Sequence, residues 1–296
     1  FRSTTTDFVG SVFHTEIVDV EGDGVCEFLV TFGSPLAGPL SFTVELWDYS
    51  GARRWKYEGK APSHRAFVGD VNGDKILEFF VSAGEYKSQI AILDSRGREI
   101  KKVGTNHTWK FTPVDFNRDG NTEIAVLSSE NRLTLLDLQE KEMGSVVLPG
   151  SANSFTIVNF EDREPLIASI GAETIYLTDF EGKTLIEFKI MDLPMDLESE
   201  LYAIACRLDA NAKPYIAISL SFGIFPPFQR SILYILDADG KLVYQENLKG
   251  GIRVLATMPN LQVEGTEVLL AALESKVLAY TLKREKISSN NLKVFD

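Results

Sequence analysis

The sequence predicts an all-β fold built from repeated four-stranded antiparallel units, and three observations support this prediction. An acidic segment recurs, as DVEGDGVCEFLV at 19, DVNGDKILEFFV at 70 and DFNRDGNTEIAV at 115. A turn of the form Asp-x-x-Gly also recurs between apolar runs, as in ILDSRGREI at 92 and YILDADGKLV at 234, which is typical of hairpins. Helical periodicity is scarce, and its best candidate is MDLPMDLESEL at 191–201. These features predict a β-propeller of six blades, with seven as the alternative, in a single domain over residues 1–296.

Each unit is expected to contain four strands in a fixed order. One strand precedes the acidic segment, one follows it, one ends at the Asp-x-x-Gly turn and one follows that turn. The first four acidic segments begin at 19, 70, 115 and 159, and this spacing of 44 to 51 residues is typical of propeller blades. Weaker copies are NFEDREPLIASI at 159, LDANAKPYIAIS at 208 and NLQVEGTEVLLA at 260. The outer strand of the last blade could come from the N-terminal FRSTTTDFVG or from the C-terminal NLKVFD.

Composition excludes several classes of protein. The chain carries 42 acidic and 30 basic residues, a net charge of −12 that would repel a phosphate backbone, so nucleic acid is not an expected partner. Two cysteines, Cys26 and Cys206, exclude a disulfide framework. The longest nearly apolar run, at 215–228, is too short and too rich in proline to predict a transmembrane segment. Because the chain begins with Phe1, we expect other segments to precede or flank it.

The acidic segments place oxygen donors at positions 1, 3, 5 and 9, the ligand type that Ca²⁺ prefers. Two carboxylates about 5 Å apart repel by roughly 3 kcal/mol at an effective dielectric of 20, which favours a bound cation. The alternative is a set of acidic turns in which each Asp bonds its own backbone. The expected ligands are Asp19, Glu21, Asp23 and Glu27 in the first segment, Asp70, Asn72, Asp74 and Glu78 in the second, and Asp115, Asn117, Asp119, the Asn121 carbonyl and Glu123 in the third.

The three segments differ in how well they match the pattern. The third is the most complete and is the one most expected to bind an ion. In the second, Lys75 replaces the glycine of the turn, which adds strain and a positive charge, and in the first the long Glu21 replaces a shorter Asp or Asn. The last three units carry Arg163, Lys213 and Val263 at or near ligand positions and are expected to bind no metal.

The three acidic segments resemble the calcium loops of FG-GAP and VCBS repeats, the units of integrin α-subunit propellers and of many secreted bacterial propellers. The resemblance implies that each loop joins the first two strands of a blade and stiffens it, and that partners bind the opposite face, as in cell adhesion. It also implies a location outside the cytoplasm, where calcium is plentiful. The glycine-turn segments, such as YILDADGKLVYQ, resemble PQQ-type propeller repeats less specifically.

The sequence favours binding over catalysis. It contains no HExxH, GxSxG or GxxxxGK motif, and its three histidines, His14, His64 and His107, are scattered. We therefore expect a non-catalytic, calcium-stabilised module that binds protein or glycan. The alternatives are an extracellular carbohydrate-active enzyme similar to propeller polysaccharide lyases, and a cytoplasmic scaffold without metal.

A contact surface is expected on the face opposite the acidic loops. In antiparallel blades, the connections between strands two and three and between blades lie on that face, and here they contain aromatic and apolar residues that are costly to expose to water. The candidate contact residues are His64, Tyr86, His107, Trp109, Phe225, Phe228 and Arg230.

Overall fold

The computed structural model consists of six four-stranded antiparallel sheets, and every helix or strand in its described part is a β-strand. It describes residues 11–33, 41–60, 66–84, 89–104, 110–150, 152–160, 163–171, 173–190, 199–209, 213–222, 230–252, 254–273, 277–282 and 292–295. The strands of each sheet follow one another in chain order, so each sheet is one propeller blade. The predicted fold class, a six-bladed β-propeller with four-stranded antiparallel blades, is confirmed.

The chain divides into two compact units, Phe1–Val146 and Val147–Asp296, with three blades in each. The expectation of a single domain over the whole chain stays a prediction. The first unit contains β1 (Ser11–Val18), β2 (Glu27–Gly33), β3 (Ser41–Trp47), β4 (Arg53–Lys60), β5 (Ala66–Gly69), β6 (Glu78–Ala83), β7 (Gln89–Leu93), β8 (Glu99–Gly104), β9 (Lys110–Val114), β10 (Glu123–Leu127), β11 (Arg132–Leu136) and β12 (Glu142–Val147).

The second unit repeats the same blade plan. It contains β13 (Ala152–Val158), β14 (Leu166–Gly171), β15 (Thr174–Thr178), β16 (Thr184–Lys189), β17 (Ser199–Cys206), β18 (Tyr215–Phe222), β19 (Arg230–Leu236), β20 (Leu242–Lys249), β21 (Val254–Pro259), β22 (Glu267–Ala272), β23 (Val277–Leu282) and β24 (Leu292–Phe295).

Burial follows the position of a strand within its blade. The second strands β6, β10 and β14 are buried at every residue, because a strand covered on both faces selects a continuous apolar run. The outer strand β4 has a mostly exposed and intermediate pattern with one buried residue, Trp55. One core cluster joins blades one and two, with Leu29 and Val44 packed in the same cluster as Phe79. The blades of each unit are therefore held together mainly by side chains of their middle strands.

The last blade is completed by the C-terminal segment. Strand β24 pairs with β23 through Leu282↔Leu292 and Thr281↔Lys293, so NLKVFD supplies its outer strand. The helical candidate at 191–201 is wrong at its end, since Ser199 to Leu201 pair with β18 as the first residues of β17. Residues 191–198 and the N-terminal residues 1–10 lie outside the described part of the chain.

Candidate metal centre

Each of the three acidic loops joins the first and second strands of a blade in the first unit, as the repeat analysis predicts. The first lies between β1 and β2, the second between β5 and β6, and the third between β9 and β10. Strand pairing at the loop base is continuous, with Val18 opposite Glu27, Gly69 opposite Glu78 and Val114 opposite Glu123. The ninth residue of each loop is therefore fixed at the first position of the second strand.

The first acid of each loop binds the backbone of its own loop. In the third loop, Oδ1 of Asp115 accepts a hydrogen bond from the Asp119 amide at 3.1 Å, and Oδ2 accepts one from the Gly120 amide at 3.1 Å. Asp19 and Asp70 accept two or more amides in a similar way. The loops thus show the hydrogen bonding of acidic turns. Since an ionised carboxylate offers about four lone-pair sites, these bonds leave capacity for a cation.

The tip of each loop repeats a second contact. Oδ1 of the fifth residue accepts the amide two residues further on at 2.8 Å, and these residues are Asp23, Asp74 and Asp119. In the third loop, the Asn121 amide and the Asn117 side chain hold the pKa of Asp119 below its ordinary value. Asp119 is therefore ionised at neutral pH.

Two positions in each loop require a left-handed backbone, which is unfavourable for residues other than glycine. At position six the φ angles are +84° for Gly24, +68° for Lys75 and +87° for Gly120. Lys75 is thus strained where the sequence predicted strain. Position four also has a left-handed backbone, and in the third loop Arg118 stands there with a φ of +59°. Sequence reasoning missed this second requirement, although the glycines of the other two loops at that position were a visible signal.

The ninth residue of each loop is a buried glutamate. Glu27, Glu78 and Glu123 expose 3%, 7% and 6% of their surface, and each accepts a hydrogen bond from the amide of the second loop residue. Burial, with the charges of Asp119 and Asp115, raises the pKa of Glu123 to about 7. Burial also raises the pKa of Glu78, with Asp74 and Asp70 adding to the effect. The second and third loops therefore concentrate negative charge around a buried carboxylate.

The donor chemistry of these two loops fits a calcium ion. Both combine carboxylate and amide oxygens, which are hard ligands. Within the described residues, neither Glu78 nor Glu123 forms an ion pair that would neutralise it. No three His, Cys, Asp or Glu residues in that part of the chain form a group that could hold a metal by themselves, so the Asn side chains and a backbone carbonyl would have to complete the ligand set.

The first loop differs because a protein cation already contacts it. The Arg54 guanidinium, from β4, lies 3.0 Å from Oε2 of Glu21 through Nη2 and 3.2 Å from Oε1 of Glu27 through Nη1. The hydrogen bond to Glu21 and the charge of Glu27 raise the pKa of Arg54. The contact of Arg54 with this loop was not predicted, because 33 residues separate Arg54 from Glu21.

The corresponding loops of the second unit use other contacts. The Arg163 guanidinium carbon lies 3.7 Å from the ring centroid of Phe160. In the last blade, Glu267 is the first residue of the second strand, as Glu123 is in the third blade. Its Oε2, however, accepts a hydrogen bond of 2.6 Å from the Arg207 amide of the preceding blade. The expectation that these three loops bind no metal stays a prediction.

Most of the expected contact surface lies outside the described residues. This applies to His64, Tyr86, His107, Trp109, Phe225 and Phe228. Arg230, the seventh candidate, begins β19, is exposed, and places its guanidinium carbon 5.7 Å from the ring centroid of Phe222. No helix of the described chain is long and apolar enough to cross a membrane.

A cavity of about 670 Å³ lies among the first strands of the three blades of the second unit. Its lining includes Tyr202, Cys206, Arg207, Thr257 and Glu267. Burial raises the pKa of the Cys206 thiol well above its ordinary value, so this thiol is protonated and unreactive at neutral pH. The cavity was not predicted, because its lining comes from three strands that are far apart in sequence.

Comparison with known proteins shows the fold. No protein-family model and no curated protein matches the chain. Among solved structures, the chain is similar to BBS1N in its complex with ARL6DN, at 13% identity and a TM-score of 0.60 over 92% of this chain and 80% of that one. It is also similar to the Dos1 propeller, at 12% identity and a TM-score of 0.55 over 97% and 70% of the two chains. The WD40 domain of Toxoplasma gondii coronin gives 12% identity and a TM-score of 0.52 over 90% and 67%. Similarity at these identities shows a β-propeller fold and no closer family.

Proposed function

We propose that this chain is a non-catalytic β-propeller that binds a protein or glycan partner and is stabilised by calcium at its acidic loops. One observation carries the calcium proposal. The side chains of Glu78 and Glu123 are buried next to other acids in loops whose remaining donors are hard oxygens. A bound divalent cation would offset both the burial and the repulsion from neighbouring acids that raise the pKa of these two groups.

In the third loop, the residues that would hold the ion are Asp115, Asn117, Asp119, the Asn121 carbonyl and Glu123. The ion would neutralise these acids and tie the loop tip to the first residue of β10. In the second loop, the strained Lys75 would make binding weaker. The FG-GAP and VCBS resemblance supports the same assignment, and it supports a location outside the cytoplasm, where weak calcium sites fill.

The interaction proposal is supported by the fold and by one structural neighbour. A propeller is a rigid scaffold that presents many loops, and the similar BBS1N chain was solved in complex with ARL6DN. We propose that the partner of this chain binds the connections between strands two and three and between blades. Exposed Arg230 lies at the edge of one such connection.

Calorimetric titration of chelated protein with calcium tests the metal proposal. Wild-type protein should bind calcium, and Glu123→Gln should lose one ion. Gln keeps an oxygen that can accept the Phe116 amide, so the loop can fold while one charged ligand is gone. Asp179→Asn is the matched control, since it alters an acidic turn of the second unit. No calcium heat in wild-type protein would refute the metal proposal.

A polysaccharide turnover assay separates the binding module from the carbohydrate-active enzyme. A binding module retains glycan, or ignores it, without releasing product. Release of unsaturated or reducing ends by wild-type protein would refute the non-catalytic part of the proposal.

A further inference from the structure

Within the described residues, the first acidic loop has a contact with an arginine that the other two loops lack. Arg54 reaches two acids of this loop, with its guanidinium nitrogens 3.0 Å from Glu21 and 3.2 Å from Glu27. The Glu27 side chain is only 4% exposed, so its charge would be costly without a partner. A guanidinium offers five donors in a planar fork and can therefore bind two carboxylates at once.

The other two acids of the loop accept hydrogen bonds from backbone amides. Oδ1 of Asp19 accepts the Asp23 amide at 3.0 Å, and Oδ2 accepts the Gly24 amide at 2.7 Å. Oδ1 of Asp23 accepts the Val25 amide at 2.8 Å. Asp115 and Asp119 of the third loop accept the same bonds, so the Arg54 contact is what distinguishes the first loop.

The position of Arg54 in the blade repeat explains why the first loop has this contact. Arg54 is the extra residue of a β-bulge in β4, between the pairs Trp47↔Arg53 and Leu46↔Trp55. In the second blade, the same bulge position holds Ile100, between the pairs Leu93↔Glu99 and Ile92↔Lys101.

The sequence places Met143 at the corresponding position of the third blade, because it follows the turn residue Asp137 by six residues, as Arg54 follows Asp48. Ile100 and Met143 are 55% and 46% exposed. An apolar side chain at this position supplies no cation to the neighbouring loop.

We infer that Arg54 is the built-in cation of the first loop, so that this loop takes no calcium and two of the three acidic loops remain as calcium sites. The count of ions rests on the calcium binding proposed above, whereas the Arg54 contact requires no metal. The bulge residue of the outer strand therefore determines whether an acidic loop depends on calcium.

A double-mutant cycle in the presence of chelator tests the Arg54 contact without reference to metal. The variants are Arg54→Met, Glu27→Gln and the double variant, with urea unfolding as the measurement. We expect a coupling of about tenfold in the unfolding equilibrium constant. Arg53→Met combined with Glu27→Gln is the matched control, since Arg53 pairs with Glu45 instead. Additive effects in the Arg54 cycle would overturn the inference. If Arg54→Met does not fold, Arg54→Lys replaces it, and a smaller coupling is expected because an ammonium lacks the planar fork.

Calorimetric titration then counts the ions. Wild-type protein should bind two calcium ions, Arg54→Met three and Ile100→Arg one, because the last variant gives the second blade its own guanidinium. Ile100 is exposed, so this substitution tests the rule in a folded protein even if Arg54→Met fails. Three ions in wild-type protein, or two in Ile100→Arg, would overturn the inference. If wild-type protein binds none, the calcium proposal fails, and the double-mutant cycle alone decides whether Arg54 holds the first loop.

Discussion

Single residues in the third loop determine how the metal-free protein responds to pH. The pKa of Glu123 is raised from 4.5 to about 7 in the folded chain, so the folded state keeps a proton that the unfolded state releases between these values. The free energy of unfolding should therefore fall as pH rises from about 4.5 to about 7. Glu123→Gln should remove about 1–2 kcal/mol of this loss.

Urea unfolding in chelator at pH 5 and pH 8 measures the effect. Glu123→Gln should be more stable than wild-type protein at pH 8 and similar to it at pH 5. An equal pH dependence in both proteins would show that Glu123 has an ordinary pKa. Added calcium should reverse the order at pH 8, since only the wild-type loop retains the charged ligand.

Glu140 is a second residue whose local conformation gives a prediction. It has a φ of +65° at a turn position where Gly51, Gly97, Gly182 and Gly240 stand in other blades. Glu140→Gly should stabilise the protein by a net of about 0.5–1 kcal/mol in chemical unfolding. This net value allows for the loss of a long hydrogen bond, 3.3 Å, that the Gly104 amide donates to the Glu140 side chain. Glu140→Ala loses the same bond but keeps the strain, so a gain in that control would refute the explanation.

At the scale of elements, glycines of the Asp-x-x-Gly turns allow neighbouring blades to pack closely. A Cβ atom at Gly97 would lie 2.7 Å from the Trp55 indole of the preceding blade, and one at Gly240 would lie 2.5 Å from Ile186. Gly97 has a φ of +74°, so Gly97→Ala combines backbone strain with a clash. We expect a loss of about 2–4 kcal/mol in free energy of unfolding.

Gly22→Ala is the control for backbone strain alone. Gly22 has a φ of +68° and open space where a Cβ would be placed. Its loss should be about 1–2 kcal/mol. Equal losses in the two variants would show that Trp55 moves aside easily and that this contact does not fix the distance between blades.

The elements also show what the sequence could and could not predict. Strand order, blade number and loop positions were predictable because the same pattern of acids, apolar runs and turns occurs many times, and each copy constrains the others. The contact of Arg54 with Glu21 was not predictable, because it depends on a bulge in β4 that brings one side chain of this strand to a loop distant in sequence. The bond from the Arg207 amide to Glu267 was missed for a similar reason, since it joins two blades.

At the scale of the whole molecule, the acidic loops and the cavity lie in different compact units. All three acidic loops lie in the unit Phe1–Val146, and the cavity lies in the unit Val147–Asp296. Calcium should therefore slow amide hydrogen exchange in the second and third blades, over residues 66–146, and leave the second unit unchanged. The second unit is an internal control, and equal protection of both units would refute a local effect of the ion.

The measurement that tests the central claim most directly is a thermal melt of chelated protein with and without millimolar calcium, repeated on Glu123→Gln. Calcium in about tenfold excess over its dissociation constant should raise the melting temperature of wild-type protein by about 3–6 °C, and by less in the variant. An unchanged melting temperature in wild-type protein would contradict the claim, because the acidic loops would then be turns that hold their own backbone and bind no ion.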